Sequence, residues 1–246
     1  MERIKNCLSA AGIPVSLTQL TQLEKYFHMV VKKNKVMNLT AITEREDFIL
    51  LHYLDSLAPL YTGEGLRRLF GVGADPSGDI KLIDVGTGAG FPGIPLKILC
   101  PSLKVTLLDS LRKRVLFLED VINELSLTDI SAIHSRAEDA GHAFELREKF
   151  DIAVSRAVAN LSALSEYTLP FVRKGGVFLA YKSGDVKEEL ETSENAVKLL
   201  GGALESTTSL TLPDSDISRS LVLIRKIKPT PKAYPRKAGT ARHSPL

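Results

Sequence analysis

The sequence predicts an α/β fold, a doubly wound and mostly parallel sheet preceded by a helical extension. Three observations carry this. After residue 80, short apolar segments alternate with helical stretches. The last two strand segments are separated by only five residues, too few for a crossover helix, so they form an antiparallel hairpin at the sheet edge. The first sixty residues instead carry apolar positions at helical spacing. The chain of 246 residues is 44% apolar and 25% charged, the balance of a globular protein, which excludes disorder, collagen and coiled coil. Its longest uncharged stretch, Asn6 to Leu23, is polar and broken by Gly12 and Pro14, so no membrane span is expected. The start has no apolar leader, and a cytoplasmic location is expected.

Residues 1–62 read as a helical extension. Ser16 and Gln19 make a capping box before Leu17, Leu20, Leu23, Phe27 and Val30–Val31, and Thr43 with Glu46 makes a second box before Phe48, Leu51 and Leu54. Between them a basic turn is expected at Lys32-Lys33-Asn34-Lys35, followed by a turn and helix cap at Asn38-Leu39-Thr40. Residues 63–79, with five glycines and a proline, read as a linker. Residues 80–228 carry strands at Lys81–Val85, Val105–Asp109, Ile130–His134, Asp151–Ser155, Gly176–Tyr181, Glu205–Leu212 and Ser218–Ile227, with a clear helix at Arg112–Leu125. Residues 229–246 read as a basic tail. From Ile217 onward there are eight basic residues and no acid, which leaves 24 basic against 29 acidic residues in the rest, a distribution suited to a polyanionic partner. Cys7 and Cys100 are far apart and the five histidines are scattered, so neither a disulfide nor a metal is expected.

The strongest local signal is Leu82-Ile83-Asp84-Val85-Gly86-Thr87-Gly88-Ala89-Gly90-Phe91-Pro92-Gly93, a buried strand running through a glycine turn into a helix. Gly88 to Gly93 satisfies GxGxxG, which alone is a weak dinucleotide signal. Asp84 at the strand end would oppose a pyrophosphate, and the turn has no Lys or Arg to pair with one. S-adenosylmethionine, cationic and without phosphate, suits these residues better. Asp109, 23 residues after Gly86, can accept from both ribose hydroxyls. With the antiparallel last strand, the pattern is that of a class I S-adenosylmethionine-dependent methyltransferase (Rossmann-like), a seven-stranded sheet of five parallel strands plus a C-terminal antiparallel hairpin. An NAD-dependent oxidoreductase using the glycine motif is the alternative, and a non-catalytic RNA-binding assembly factor on the same fold is a third reading.

Seven segments in order resemble the glucose-inhibited division protein B family, also called ribosomal RNA small-subunit methyltransferase G. They are the glycine segment with Phe91-Pro92-Gly93, Asn38-Leu-Thr-Ala-Ile42, His52-Tyr-Leu-Asp-Ser56, Asp109-Ser-Leu-Arg-Lys-Arg114, Arg136-Ala-Glu138, Ser155-Arg-Ala-Val-Ala159 and Tyr234-Pro-Arg-Lys-Ala-Gly239. The tail departs from it in reading Gly239-Thr-Ala-Arg-His, without the expected proline after Gly-Thr. The resemblance implies methylation of N7 of guanosine-527 in the 530 loop of 16S rRNA. It also implies cofactor contacts from Gly86, Phe91, Ala137, Glu138 and Arg156.

Guanine N7 presents a lone pair and no proton, so the transfer is an in-line displacement that needs no general base, and proximity and orientation carry it. Ser155-Arg156-Ala157-Val158-Ala159 stands where an amine-methylating enzyme would show an Asn/Asp-Pro-Pro-aromatic loop, and neither cysteine lies there for 5-methylcytosine chemistry. The candidate site is thus Arg156, with Arg136 second, for substrate or cofactor positioning; Asp84, Gly86, Gly88, Phe91, Asp109, Ala137, Glu138 and Arg156 for the cofactor; and Lys182 as a weaker positioning residue. His52, Asp55 and Ser56 share a helix face and read as a joint between extension and main domain. Lys32, Lys33 and Lys35, the run Arg112-Lys113-Arg114 and the basic tail are the expected RNA contacts. With no Trp and 6% aromatic residues, a stacking platform for single strands is not expected. The expected partner is 16S rRNA, as small ribosomal subunit or assembly intermediate, and the expected enzyme is a monomer.

Overall fold

Alternation of apolar side chains along each strand sets the architecture. In β1 (Lys81–Val85), Leu82 packs on one face of the sheet and Ile83 on the other. The computed structural model describes residues 1–73, 79–156 and 159–246. Helices α1 (Glu2–Ala10), α2 (Leu17–Met37), α3 (Arg45–Phe48), a π-helical segment (Ile49–Leu54), α4 (Asp55–Tyr61) and α5 (Glu64–Leu69) come first. After β1 follow α6 (Gly93–Leu99), β2 (Lys104–Asp109), α7 (Arg112–Glu124), β3 (Ile130–His134), α8 (Ala137–Ala140) and β4 (Phe150–Arg156). The chain continues with α9 (Leu161–Thr168), β5 (Val172–Ser183), α10 (Lys187–Leu199), β6 (Gly202–Thr211), β7 (Ser218–Lys226) and α11 (Thr240–His243).

The seven strands are ordered β3-β2-β1-β4-β5-β7-β6, with β1 to β5 parallel and β7 antiparallel to both β5 and β6. The α/β class, the strand count and the closing hairpin are as the sequence predicts. Every strand falls within a few residues of its expected bounds, except that β5 begins four residues earlier.

Four local expectations are corrected. Lys32–Lys35 is not a turn: α2 runs on to Met37, because lysines are good helix formers on a solvated face, and the chain turns only at Asn38 (φ +34°). Asn34 Oδ1 accepts from the backbone N–H of Leu39 (2.6 Å) and Thr40 (2.9 Å), so the turn is made as expected one step later. The Thr43 box does not form, since Glu44 is the N-cap of α3 and makes no side-chain cap. The Ser16–Gln19 box does form, and Gln19 Nε2 also reaches Ile98 O of α6 at 2.9 Å. Part of the linker is the helix α5; residues 74–78 of it lie outside the described residues.

The helical extension shares one core with the sheet. Tyr26, Phe48, Tyr53 and Leu57 pack in the same buried cluster as Leu82 of β1, Leu107 of β2, Val154 of β4 and Leu179 of β5. The opposite face buries Ile83, Ala153, Phe178 and Val222 against α9 and α10. The basic tail is the fourth correction. Residues 229–246 fold back on the sheet domain, and of the eight basic residues from Ile217 onward half are paired internally, three of them in β7: Arg219 with Asp55, Arg225 with Glu205, Lys226 with Glu148 and, in the tail itself, Arg236 with Glu166. Lys228, Lys232, Lys237 and Arg242 are exposed. Cys7 and Cys100 are free.

Candidate active site

The carboxyl ends of the parallel strands carry two cavities, one over β1–β3 and one over β4, β5 and β7. Such ends are where ligands bind in doubly wound sheets. The first, about 360 Å³, is lined by Gly86, Asp109, Arg136, Ala137 and Glu138, together with Tyr167 of α9 and the tail residues Gly239, Arg242 and His243. The second, about 370 Å³, is lined by His52, Asp55, Arg156, Tyr181, Lys182 and Arg219. The structure therefore brings Gly86, Asp109, Arg136, Ala137 and Glu138 together. It does not bring Arg136 to Arg156, which face different cavities.

The glycine loop is built by its acids. Asp84 is wholly buried beneath it, and its Oδ2 accepts from Thr87 Oγ1 (2.6 Å) and from the Gly93 N–H (2.8 Å). It lines neither cavity. It therefore acts as the brace of the loop and as a charge under it, at the strand end where the sequence places it. Its Oδ1 is buried without a partner. Gly86 (φ +73°) and Gly88 (φ +63°) turn the chain in the left-handed region, and a side chain at Gly88 would meet only open space. Asp109 Oδ2 accepts from the Gly88 N–H at 2.9 Å, and Oδ1 from the Leu111 N–H at 2.9 Å. Glu138 Oε1 accepts from the Gly239 N–H at 2.9 Å.

Burial pushes the Asp84 carboxyl up to about 6, against the opposing hydrogen bonds from Thr87 and Gly93. The folded state thus holds this proton more tightly than the unfolded chain. Stability from this group is greatest below about pH 4 and falls as pH rises toward 6, by about 3 kcal/mol. Denaturant titrations at pH 4.5 and 6.5 are expected to show that slope in the wild type. In Asp84→Asn, which keeps an acceptor for both donors, it should flatten; an equal slope in the variant would assign it elsewhere.

Phe91 is a packing residue. It is 5% exposed, its ring stacks on His52 at 4.4 Å and 5°, and Tyr26 and Phe48 lie at 5.3 and 5.7 Å. It therefore pins the extension to the glycine loop, and it lines neither cavity. The Arg156 guanidinium sits over the Phe91 ring, with Cζ 5.2 Å from its centroid. Arg156 Nη1 donates to Asp55 Oδ2 and to Leu51 O, both at 2.9 Å, and Nη2 donates to His52 Nδ1 at 3.1 Å. Asp55 Oδ1 accepts from Arg219 Nε at 3.0 Å, so this one carboxylate is shared by two arginines. His52 Nε2 meets Thr40 Oγ1 at 2.8 Å. With Nδ1 accepting, Nε2 carries the proton and donates. Burial and then the Arg156 charge push the His52 ring down to about 3, so it is neutral.

The π-helical segment places His52 and Asp55 on the same guanidinium, and Tyr181 Oη donates to Ser56 O at 2.9 Å. The His52-Asp55-Ser56 segment is thus a joint between extension and sheet. Lys182 Nζ is anchored on Glu189 Oε1 (2.6 Å) and Ala159 O (3.0 Å). Ala157 and Val158, in the Ser155–Ala159 segment, lie outside the described residues. Arg219, Tyr167 and the tail residues 239–243 escaped the sequence reading as site residues; for Gly239 the matching tail segment was the available signal. Among the described residues, no group of three His, Cys, Asp or Glu is placed to hold a metal, and no helix is long and apolar enough to cross a membrane.

The strand order, with its reversal after β5, and the glycine loop over an acidic strand end are those of a class I methyltransferase. The fold is similar to protein PH0793 of Pyrococcus horikoshii, with a TM-score of 0.51 over 70% of this chain and 64% of that one at 17% identity. The family model described as GidB, rRNA small subunit methyltransferase G, matches residues 19–221. Ribosomal RNA small subunit methyltransferase G of Lachnoclostridium phytofermentans is 50% identical over 97% of this chain and 94% of its own length. The protein of that name from Lactobacillus acidophilus is 48% identical over 97% and 96%. The chain belongs to the rRNA small subunit methyltransferase G family.

Proposed function

We propose that this enzyme transfers the methyl group of S-adenosylmethionine to N7 of guanosine-527 in the 530 loop of 16S rRNA. One observation carries the cofactor half: the glycine loop rests on a buried carboxylate, and Asp109 and Glu138 line the cavity beside it. A nucleoside with a cationic sulfur and no phosphate fits that donor set, and the open space over Gly88 leaves room for it. A dinucleotide's pyrophosphate would lie over a loop that carries the buried Asp84 beneath it and has no basic side chain of its own.

S-adenosylmethionine supplies an electrophilic methyl on sulfur. The chain's own task is then to hold and orient. Asp109 and Glu138 accept hydrogen bonds at the two strand ends, Asp84 and Thr87 fix the loop, and Arg156 holds the floor of the second cavity. His52 cannot act as a general base, because its lone pair is occupied by Arg156 and burial beside that charge pushes its pKa down to about 3, far below the ordinary range, which leaves the ring too weak a base. A lone-pair nucleophile such as guanine N7 asks for no such base. The exposed Lys32, Lys35, Arg112, Lys113, Lys232 and Lys237 are cations available to meet RNA phosphates. The enzyme acts as a cytoplasmic monomer on the small subunit or an assembly intermediate.

The test is mass spectrometry of 16S rRNA from cells lacking this protein. A 7-methylguanosine in the 530 loop should vanish, and purified enzyme with labelled S-adenosylmethionine should restore it to their small subunits. An unchanged methyl group would withdraw the substrate assignment, and a restored phenotype without transfer would favour the non-catalytic assembly factor.

A further inference from the structure

We infer that the C-terminal segment is part of the cofactor site: Gly239, Arg242 and His243 form one wall of the cavity over β1–β3, and residues 230–238 are the strap that holds the wall in place. The inference rests on the reading of that cavity as the cofactor site.

The strap is fastened by side chains from the body of the sheet domain. Arg147 donates to three of its carbonyls, Thr230 (2.8 Å), Pro231 (3.2 Å) and Tyr234 (2.9 Å). Glu148 Oε1 accepts from the Thr230 N–H at 2.7 Å, and His142 Nε2 donates to Pro235 O at 2.8 Å. Glu166 is the firmest anchor. It is wholly buried in α9, next to the cavity-lining Tyr167, and its carboxylate is satisfied by Arg236, from the backbone N–H (2.6 Å), Nε (3.0 Å) and Nη2 (2.6 Å). A buried carboxylate with its arginine removed is strongly unfavourable, so the strap is docked in the folded enzyme.

Beyond the strap, Gly239 (φ +87°) turns the chain in the left-handed region and sends its N–H to Glu138 Oε1. Glu138 Oε2 takes no hydrogen bond from the described residues, so one carboxylate both holds the wall and keeps an oxygen for a ligand. Ala241, 1% exposed, then packs α11 into the core beneath α9, which sets Arg242 and His243 at the cavity. Because the wall and the ligand meet on the same carboxylate, each should favour the other's placement.

The full-length chain carrying Ala241→Arg, which forces α11 off α9, tests this with S-adenosylhomocysteine as the probe. Calorimetric titration is expected to show binding weakened at least about tenfold, about 1.4 kcal/mol, and a smaller loss in Arg242→Ala/His243→Ala. In the wild type, saturating S-adenosylhomocysteine should slow tryptic cleavage after the exposed Lys237 and Arg242 several-fold. A folded Ala241→Arg variant that binds as tightly as wild type overturns the proposal. Where circular dichroism shows that variant unfolded, the wild-type cleavage rates decide, and unchanged rates overturn it. Wild-type enzyme that fails to bind S-adenosylhomocysteine overturns the cofactor reading and the wall with it, whereas binding without either effect overturns the wall alone.

Discussion

Arg156→Met is expected to lower folding stability by about 3 kcal/mol and methyl transfer by about 100-fold or more. The guanidinium is 13% exposed and its partner Asp55 7%, so the substitution leaves a buried carboxylate with Arg219 alone, and strips His52 Nδ1 and Leu51 O of their donor. In a domain of this size that loss corresponds to a melting point lower by about 6–12 °C. Activity falls further than stability, because the floor of the second cavity loses its fixed geometry, and misplacement by an ångström suffices for losses of that order. Thermal melts and labelled-methyl transfer at a temperature where the variant is still folded separate the two effects. The Asp55→Asn/Arg156→Met double variant should regain part of the stability and none of the activity. A single variant as stable as wild type would show that the shared carboxylate contributes nothing.

Gly90→Ala is the second large effect. The backbone there has φ +107°, and an added Cβ would sit 2.5 Å from Ile94 Cδ1 and 2.6 Å from Tyr26 Oη. Tyr26 Oη is bonded to Ala89 O in the same loop, so the hydroxyl cannot withdraw without losing its acceptor. Overpacking and the disfavoured dihedral together should cost about 3–5 kcal/mol. Gly88→Ala is the control: its φ is also positive, but nothing lies within 4 Å of the new atom, so only the dihedral cost of about 1 kcal/mol applies. Chemical denaturation of both variants checks the order, and equal losses would refute the steric argument.

What the sequence revealed and what it hid follow from the range of the interactions involved. Strands were legible because a buried strand in a parallel sheet is apolar on both faces over a short, countable run. The Ser16 box was legible because cap and partner are three residues apart. The lysines before Asn38 misled because exposed lysines look alike in a helix and in a turn, and the stop depends on one left-handed residue. The glycines around α5 misled similarly, since Gly63 and Gly71 flank that helix and Gly65 is carried within it. At the site, Gly86, Asp109, Ala137 and Glu138 were legible because strand ends converge in any doubly wound sheet. The surroundings of Phe91 and Asp84 were not legible: the first is packed by His52 and Tyr26 from far earlier in the chain, and the second is covered by the loop that closes over it through Thr87 and Gly93. The basic C-terminal run from Ile217 onward was the plainest case. Its charge count is a property of the sequence, but its neutralisation by Asp55, Glu148, Glu166 and Glu205 is a property of the fold, at separations of 164, 78, 70 and 20 residues.

The order β5-β7-β6 also bears on how the chain is made. A ribosome delivers β5, then the edge strand β6, and only then the strand that lies between them. Until residue 226 has emerged, β5 has one bare flank, β6 has no strand to pair with, and Asp55, synthesised far earlier, awaits one of its two arginines. The nascent enzyme therefore cannot close its sheet in the order of translation. Its last long strand is the keystone, and an arrested chain ending before it should remain a target for chaperones and proteases.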